Sequence, residues 1–235
     1  MHLKDLCRDF EKKFPLSPDH WYQAQQYKVS HNVIQLTKNA WALGIGKDAR
    51  HERWIRIQNE NCKFHCFDPT PISKATIKDN NWAVDFYMLK KKKSKNVNLL
   101  QYHNFAYHRS GRKQLFYTHD PKMRCFSMYS SKLGHRMKVQ SITFENMIIK
   151  AGVPDYIKFD IEGMWFEFCE DLFKHNLKVA QINGEFEMNY DNHNLAFDKL
   201  NTVVDMFESQ GYKIYCNRKL DTWNIELSFI KPELV

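Results

Sequence analysis

The sequence predicts an α/β fold: a mainly parallel sheet of seven strands, with helices on both faces and an N-terminal helical extension. Three observations predict it. Short apolar runs alternate with longer amphipathic stretches, the pattern of strand–helix units joined into a parallel sheet. The 235 residues, 43% hydrophobic and 14% aromatic, suit one domain with a sizeable core. No internal repeat or interdomain linker interrupts the chain, and its seven prolines and eight glycines are scattered.

The elements follow in order. Leu6, Phe10 and Phe14 recur at helical spacing, and Ser17-Pro18 opens a second short helix through Trp21. Residues 1–30 are therefore expected to form the helical extension, packed on a domain spanning 31–235. The first core strand covers 39–43 and runs into Gly44-Ile45-Gly46, with a helix over 48–59. The second strand, 63–67, is stopped by Asp68-Pro69-Thr70-Pro71, where the next helix starts near Ile72. The third strand is expected within 97–106, a turn at Ser110-Gly111, and another strand over 114–117. Thr143 caps a helix that ends at Gly152. A strand over 156–161 leads into a helix over 164–175, and a further strand covers 179–183. The helix over 195–209 turns Leu200, Val203, Val204 and Phe207 inward and closes at Gly211. Residues 212–216 and 225–230 finish the sheet as an antiparallel pair.

Charge and cysteine usage narrow the function classes. The first 25 residues carry no apolar signal-peptide core, and no run approaches the roughly 18 apolar residues of a membrane span. A soluble, cytoplasmic protein without a membrane partner is expected, its oligomeric state open. Cys7, Cys62, Cys66, Cys125, Cys169 and Cys216 form no Cys-x-x-Cys pair, so no zinc site is signalled and free thiols are expected. The net charge of +8 permits an acidic partner such as nucleic acid. Much of it sits in Lys90 to Lys93 and Lys95, a run that reads as a solvated loop.

Four strand ends carry the chemistry. Gly44 and Gly46 follow the first strand, where ligands of doubly wound sheets bind and where glycine lets the backbone approach them. Asp68 ends the second strand, placed to accept the ribose hydroxyls of an adenosine ligand. Asp160-Ile161-Glu162-Gly163 ends an apolar strand with two carboxylates, which cost desolvation unless a partner or ligand offsets it. Gln181-Ile182-Asn183-Gly184-Glu185-Phe186-Glu187 delivers further acids to the same edge. The alternative reading of Asp68 and Asp160 is helix N-capping. His103, His108, His119 and His135 lie in the middle segment and receive no role.

Three segments resemble the signature segments of FkbM-type methyltransferases. They are Phe67-Asp68-Pro69-Thr70-Pro71, Ile157-Lys158-Phe159-Asp160-Ile161-Glu162-Gly163 and Asn224-Ile225-Glu226-Leu227-Ser228-Phe229-Ile230. The resemblance runs from about residue 35 to 231. It implies a Rossmann-like class I methyltransferase that takes S-adenosylmethionine and methylates a hydroxyl, with Gly44, Gly46, Asp68 and Asp160 around the cofactor and Ala106 near its adenine. Two positions depart from the family pattern: Ala42 and Leu43 stand where an acid often precedes the first glycine, and Glu187 where a histidine is frequent. Asp160 and Glu185 are the candidate catalytic acids, with Glu162 a candidate for orienting the local backbone. A glycan or small molecule is the expected acceptor. Nucleic-acid base chemistry is disfavoured, because neither an Asn/Asp-Pro-Pro-aromatic nor a Pro-Cys motif occurs. An RNA 2′-hydroxyl acceptor and a non-catalytic binding module of the same fold are the alternatives.

Overall fold

Strands that are apolar on both sides need helices on both sheet faces, and the chain supplies two sets. The computed structural model describes residues 3–24, 27–90, 100–118, 135–188, 192–217 and 224–235. In chain order it comprises α1 (Leu3–Glu11), β1 (Tyr22–Ala24), β2 (Tyr27–Val29), α2 (His31–Leu36), β3 (Asn39–Leu43), α3 (Arg50–Gln58), β4 (Lys63–Phe67) and α4 (Pro71–Lys90). There follow β5 (Gln101–His103), β6 (Ala106–Tyr107), β7 (Gln114–Thr118), β8 (His135–Val139), β9 (Ser141–Ile142), α5 (Phe144–Ala151), β10 (Tyr156–Phe159) and α6 (Trp165–Lys174). The chain ends with β11 (Gln181–Glu187), α7 (His193–Ser209), β12 (Lys213–Cys216), β13 (Asn224–Ile230) and a 3-10 turn at Pro232–Leu234.

The main sheet has seven strands in the order β12-β13-β11-β10-β3-β4-β5, with β13 antiparallel to both its neighbours and the rest parallel. Side-chain alternation divides its two faces. Trp41, Leu43, Ile157 and Phe159 face a core built with α1, α5, α6 and α7. Ala40, Ala42, Phe64 and Cys66 face the opposite core, built with α2, α3, α4 and the β1–β2 hairpin. Small alanines on the second face let α3 sit close, and bulky aromatics fill the first. The strand order reverses at β3 and β10, whose carboxyl ends therefore open a crevice.

Several sequence expectations hold with the same bounds, β3 and β4 among them. Thr143 caps α5 by accepting from the Asn146 amide at 3.3 Å, and Gly152 leaves the helix at φ 73°. Leu200, Val203, Val204 and Phe207 are the inward face of α7.

Others need correction. No helix forms over 17–21; Trp21 closes a turn onto Pro18, and the chain enters the β1–β2 hairpin. Ser17 is drawn out of helical geometry because it bonds the strand end at Cys216 and Asn217. The third strand breaks in two at a tight turn where the Phe105 amide reaches the His103 carbonyl, so only β5 joins the main sheet. The strand over 114–117 pairs with β8 in a separate ribbon. Residues 97–99, Lys91 to Lys93, Lys95, His119 and Cys125 lie outside the described residues.

The strand expected over 179–183 starts at Gln181 and continues to Glu187, because β13 pairs with it along its whole length, from Gln181↔Ile230 to Glu187↔Asn224. Across the β10–β11 pairing Gly184 lies against the Phe159 ring, which an added Cβ would overlap. Gly184→Ala should therefore cost about 1–3 kcal/mol by overpacking, read as a lower denaturation midpoint. A variant as stable as the parent would show that the ring has room to move.

Candidate active site

The site begins with a backbone contact. Gly44 leaves β3 at φ 72°, and a Cβ at this position would overlap the carbonyl of Asp160. The Asp160 amide in turn donates to Leu43 O at 3.0 Å, so the ends of β3 and β10 are pinned side by side. Gly46 takes φ 58° and completes the loop.

Asp68 organises that loop. Its Oδ2 accepts the amides of Ile45 (2.7 Å) and Gly46 (2.9 Å), and its Oδ1 accepts the Thr70 amide (2.7 Å) and hydroxyl (2.6 Å). A carboxylate offers about four acceptor sites, and all four are taken. Asp68 is thus a clamp joining the β3 and β4 ends, and it does not cap α4, which starts at Pro71.

A cavity of about 250 Å³ opens over these strand ends. Gly44, Gly46, Asp68, Ala106 and Asp160 all line it, so the structure gathers five of the six residues singled out from the sequence. Phe105, Ala106 and Phe116 form an apolar wall, with Phe116 carried in by the β7–β8 ribbon. Asp160, Glu162 and Lys158 form a charged wall opposite in character. Glu185 is not a lining residue: it lies inside β11, where it accepts from the Tyr27 hydroxyl at 3.3 Å and from Asn224 Nδ2. Tyr27 stands between it and the cavity as a lining residue.

Asp160 has a different carboxyl partner. The chain turns after β10 with Glu162 at φ 49° and Gly163 at φ 94°, a left-handed pair that aims consecutive amides one way. Those amides donate to Glu187, Glu162 N to Oε1 at 3.0 Å and Gly163 N to Oε2 at 3.1 Å. The Asp160 carboxyl, half-buried at the cavity wall, is held well above the usual carboxylate range by burial first and by Glu185 second, while Lys158 and a hydrogen bond from Glu187 pull the other way. Glu187 is also raised, by burial and then by Asp160. Each carboxyl raises the other, so ionising one disfavours ionising its neighbour, as expected of a pair that holds a proton between them. Asp160 does not cap α6, which starts at Trp165 without a side-chain cap.

Sequence reasoning gave no role to Tyr27, Lys158, Phe116 or the pairing of Glu187 with Asp160. Lys158 had a visible signal, a lysine inside an otherwise apolar strand. Phe116 and Tyr27 had none, since long-range packing brings them in. His103 bonds His65 ring to ring (2.9 Å) and stacks on Phe67, and burial depresses both imidazoles to about 4. Its carbonyl accepts the Asp68 amide, so it supports the wall from behind and leaves the proton chemistry to the carboxyls.

These residues fit S-adenosylmethionine. An apolar wall suits an adenine ring, carboxyls suit a sulfonium cation, and the glycine loop exposes backbone to the ligand. Because Asp68 is already saturated, a ribose hydroxyl would have to displace one of its loop donors or share an oxygen with them.

The family model of the methyltransferase FkbM domain matches residues 23–214. Among solved structures, precorrin-6y C5,15-methyltransferase from Geobacter metallireducens GS-15 aligns at 11% identity over 92% of this chain and 96% of its own, with a TM-score of 0.46. An O-methyltransferase from Bacillus cereus aligns at 8% identity over 97% and 90% of the two chains, also with a TM-score of 0.46. No curated protein matches the chain.

The carboxyl pair makes a pH prediction. A carboxyl whose folded pKa is raised contributes stability that is full below its unfolded pKa, about 4, and is lost as pH rises through the folded value. Glu187→Gln removes that loss together with one amide acceptor. The variant should be less stable than the parent near pH 4 and gain on it steadily towards pH 8, in paired urea titrations. A stability difference that is constant with pH would contradict the shared proton.

Proposed function

Because the chain belongs to the FkbM methyltransferase family, which uses S-adenosylmethionine, we propose that it methylates a hydroxyl oxygen of a glycan or small molecule. The observation that carries this reading is Asp160 at the cavity wall, backed by Glu187 on the Glu162 and Gly163 amides. A hydroxyl is a poor nucleophile, and its proton must leave as the oxygen attacks. A carboxyl raised above its usual range is a stronger base than an ordinary carboxylate, which favours it as the proton acceptor.

The donor supplies an electrophilic methyl group on a sulfonium sulfur, and displacement is in line. The chain's own residues do the rest. The Gly44–Gly46 loop and Asp68 hold the donor-side backbone in place. Phe105, Ala106 and Phe116 take the adenine side and exclude water there. Asp160 receives the acceptor's proton, and Glu187, tethered by the Glu162 and Gly163 amides, shares it. Glu185 acts through Tyr27, keeping that ring at the cavity wall. Holding the oxygen behind the methyl group can remove about 7–11 kcal/mol of barrier in favourable cases.

An RNA 2′-hydroxyl is the second reading, favoured only by the net charge of +8. Incubation with methyl-labelled donor should transfer label to hydroxyls in a panel of glycans and small molecules, stable to base as an ether is. Label on RNA alone would select the second reading, and label on amines would refute hydroxyl transfer.

Asp160→Asn should lower turnover at least about 100-fold while S-adenosylhomocysteine affinity stays within a few-fold. Undiminished turnover would remove Asp160 from the chemistry. Asp68→Ala should weaken S-adenosylhomocysteine binding at least about tenfold in calorimetry, since it opens the loop as well as removing a ribose partner. Unchanged affinity would exclude both roles.

A further inference from the structure

Lys158 lies inside a central parallel strand, 5% exposed, and lines the cavity. An ammonium in such a place is costly unless its donors and its charge are matched. Of its three N–H donors, one reaches Gly44 O at 2.5 Å. Its Nζ also lies 5.2 Å from the centre of the Tyr27 ring. No other acceptor takes it among the described residues. Strand geometry and the Tyr27 ring hold the ammonium at the cavity wall.

Asp160, two residues further along, lines the same cavity with Glu162. A cation and carboxyls side by side complement a zwitterion, a carboxylate and an amine on one carbon. The methionyl tail of the donor is such a group.

We propose that Lys158 binds the carboxylate of the donor's methionyl tail, with Glu162 facing the tail's ammonium. This rests on the S-adenosylmethionine reading above. The competing role is structural: Glu52, buried on α3, lies in the field of Lys158 and would be its permanent counter-ion.

The test compares two ligands on three proteins by calorimetry. Wild-type protein should bind S-adenosylmethionine at least about tenfold more tightly than its decarboxylated analogue. In Lys158→Met that preference should fall towards unity, and in Lys158→Arg, which keeps the charge, most of it should remain. A preference that survives in Lys158→Met, or weakening of both ligands by the same factor, overturns the assignment and makes Lys158 structural. If Lys158→Met does not fold, the wild-type comparison decides, and equal affinity for the two ligands overturns it. Failure of the wild type to bind either ligand is a different result: it sinks the donor reading itself.

Discussion

The contact on which the site depends is the approach of Gly44 to the backbone of Asp160. No side chain fits at position 44, so β3 and β10 can end close together, and the Asp160 amide locks that closeness by donating to Leu43 O at 3.0 Å. Everything functional hangs on this seam. It sets the Lys158 ammonium on the Gly44 carbonyl, brings the Ile45 and Gly46 amides within reach of Asp68, and sends the chain into the left-handed turn at Glu162 and Gly163. The turn in turn tethers Glu187 against Asp160.

Electrostatics then follow from burial. Four acids gather near one strand end, and water is mostly excluded from two of them. The pair resists full ionisation, so one carboxyl keeps a proton while the other stays free to accept one. Lys158 offsets part of the remaining charge, which keeps so acidic a site compatible with folding. The same arrangement explains why Glu185, two residues back on β11, is not interchangeable with Glu187. Its carboxylate is engaged by Tyr27 and Asn224, whereas that of Glu187 takes the Glu162 and Gly163 amides.

The parallel core was legible in the sequence because each of β3, β4, β10 and α7 carries its own periodic signal and its own stop: Gly44, Asp68-Pro69, Asp160 and Gly211. The loop glycines and Asp68 were legible for the same reason, since strand ends declare themselves locally. What stayed hidden was set by distant partners. The β1–β2 hairpin replaces a helix because Ser17 bonds residues at the far end of the chain, 199 positions away. The length of β11 is dictated by β13, which moved Glu185 from the strand end into the ladder. Asp68 looked like a ribose ligand or a cap, and only the folded loop shows its four acceptor sites filled at once.

The most direct test of the shared proton is carbon-13 NMR titration of the Asp160 and Glu187 carboxyls in the ligand-free protein. The account predicts that both titrate above the ordinary carboxylate range, in two coupled steps, and that Glu187→Gln brings Asp160 down towards that range. Two independent titrations near pH 4, unchanged by the substitution, would contradict it.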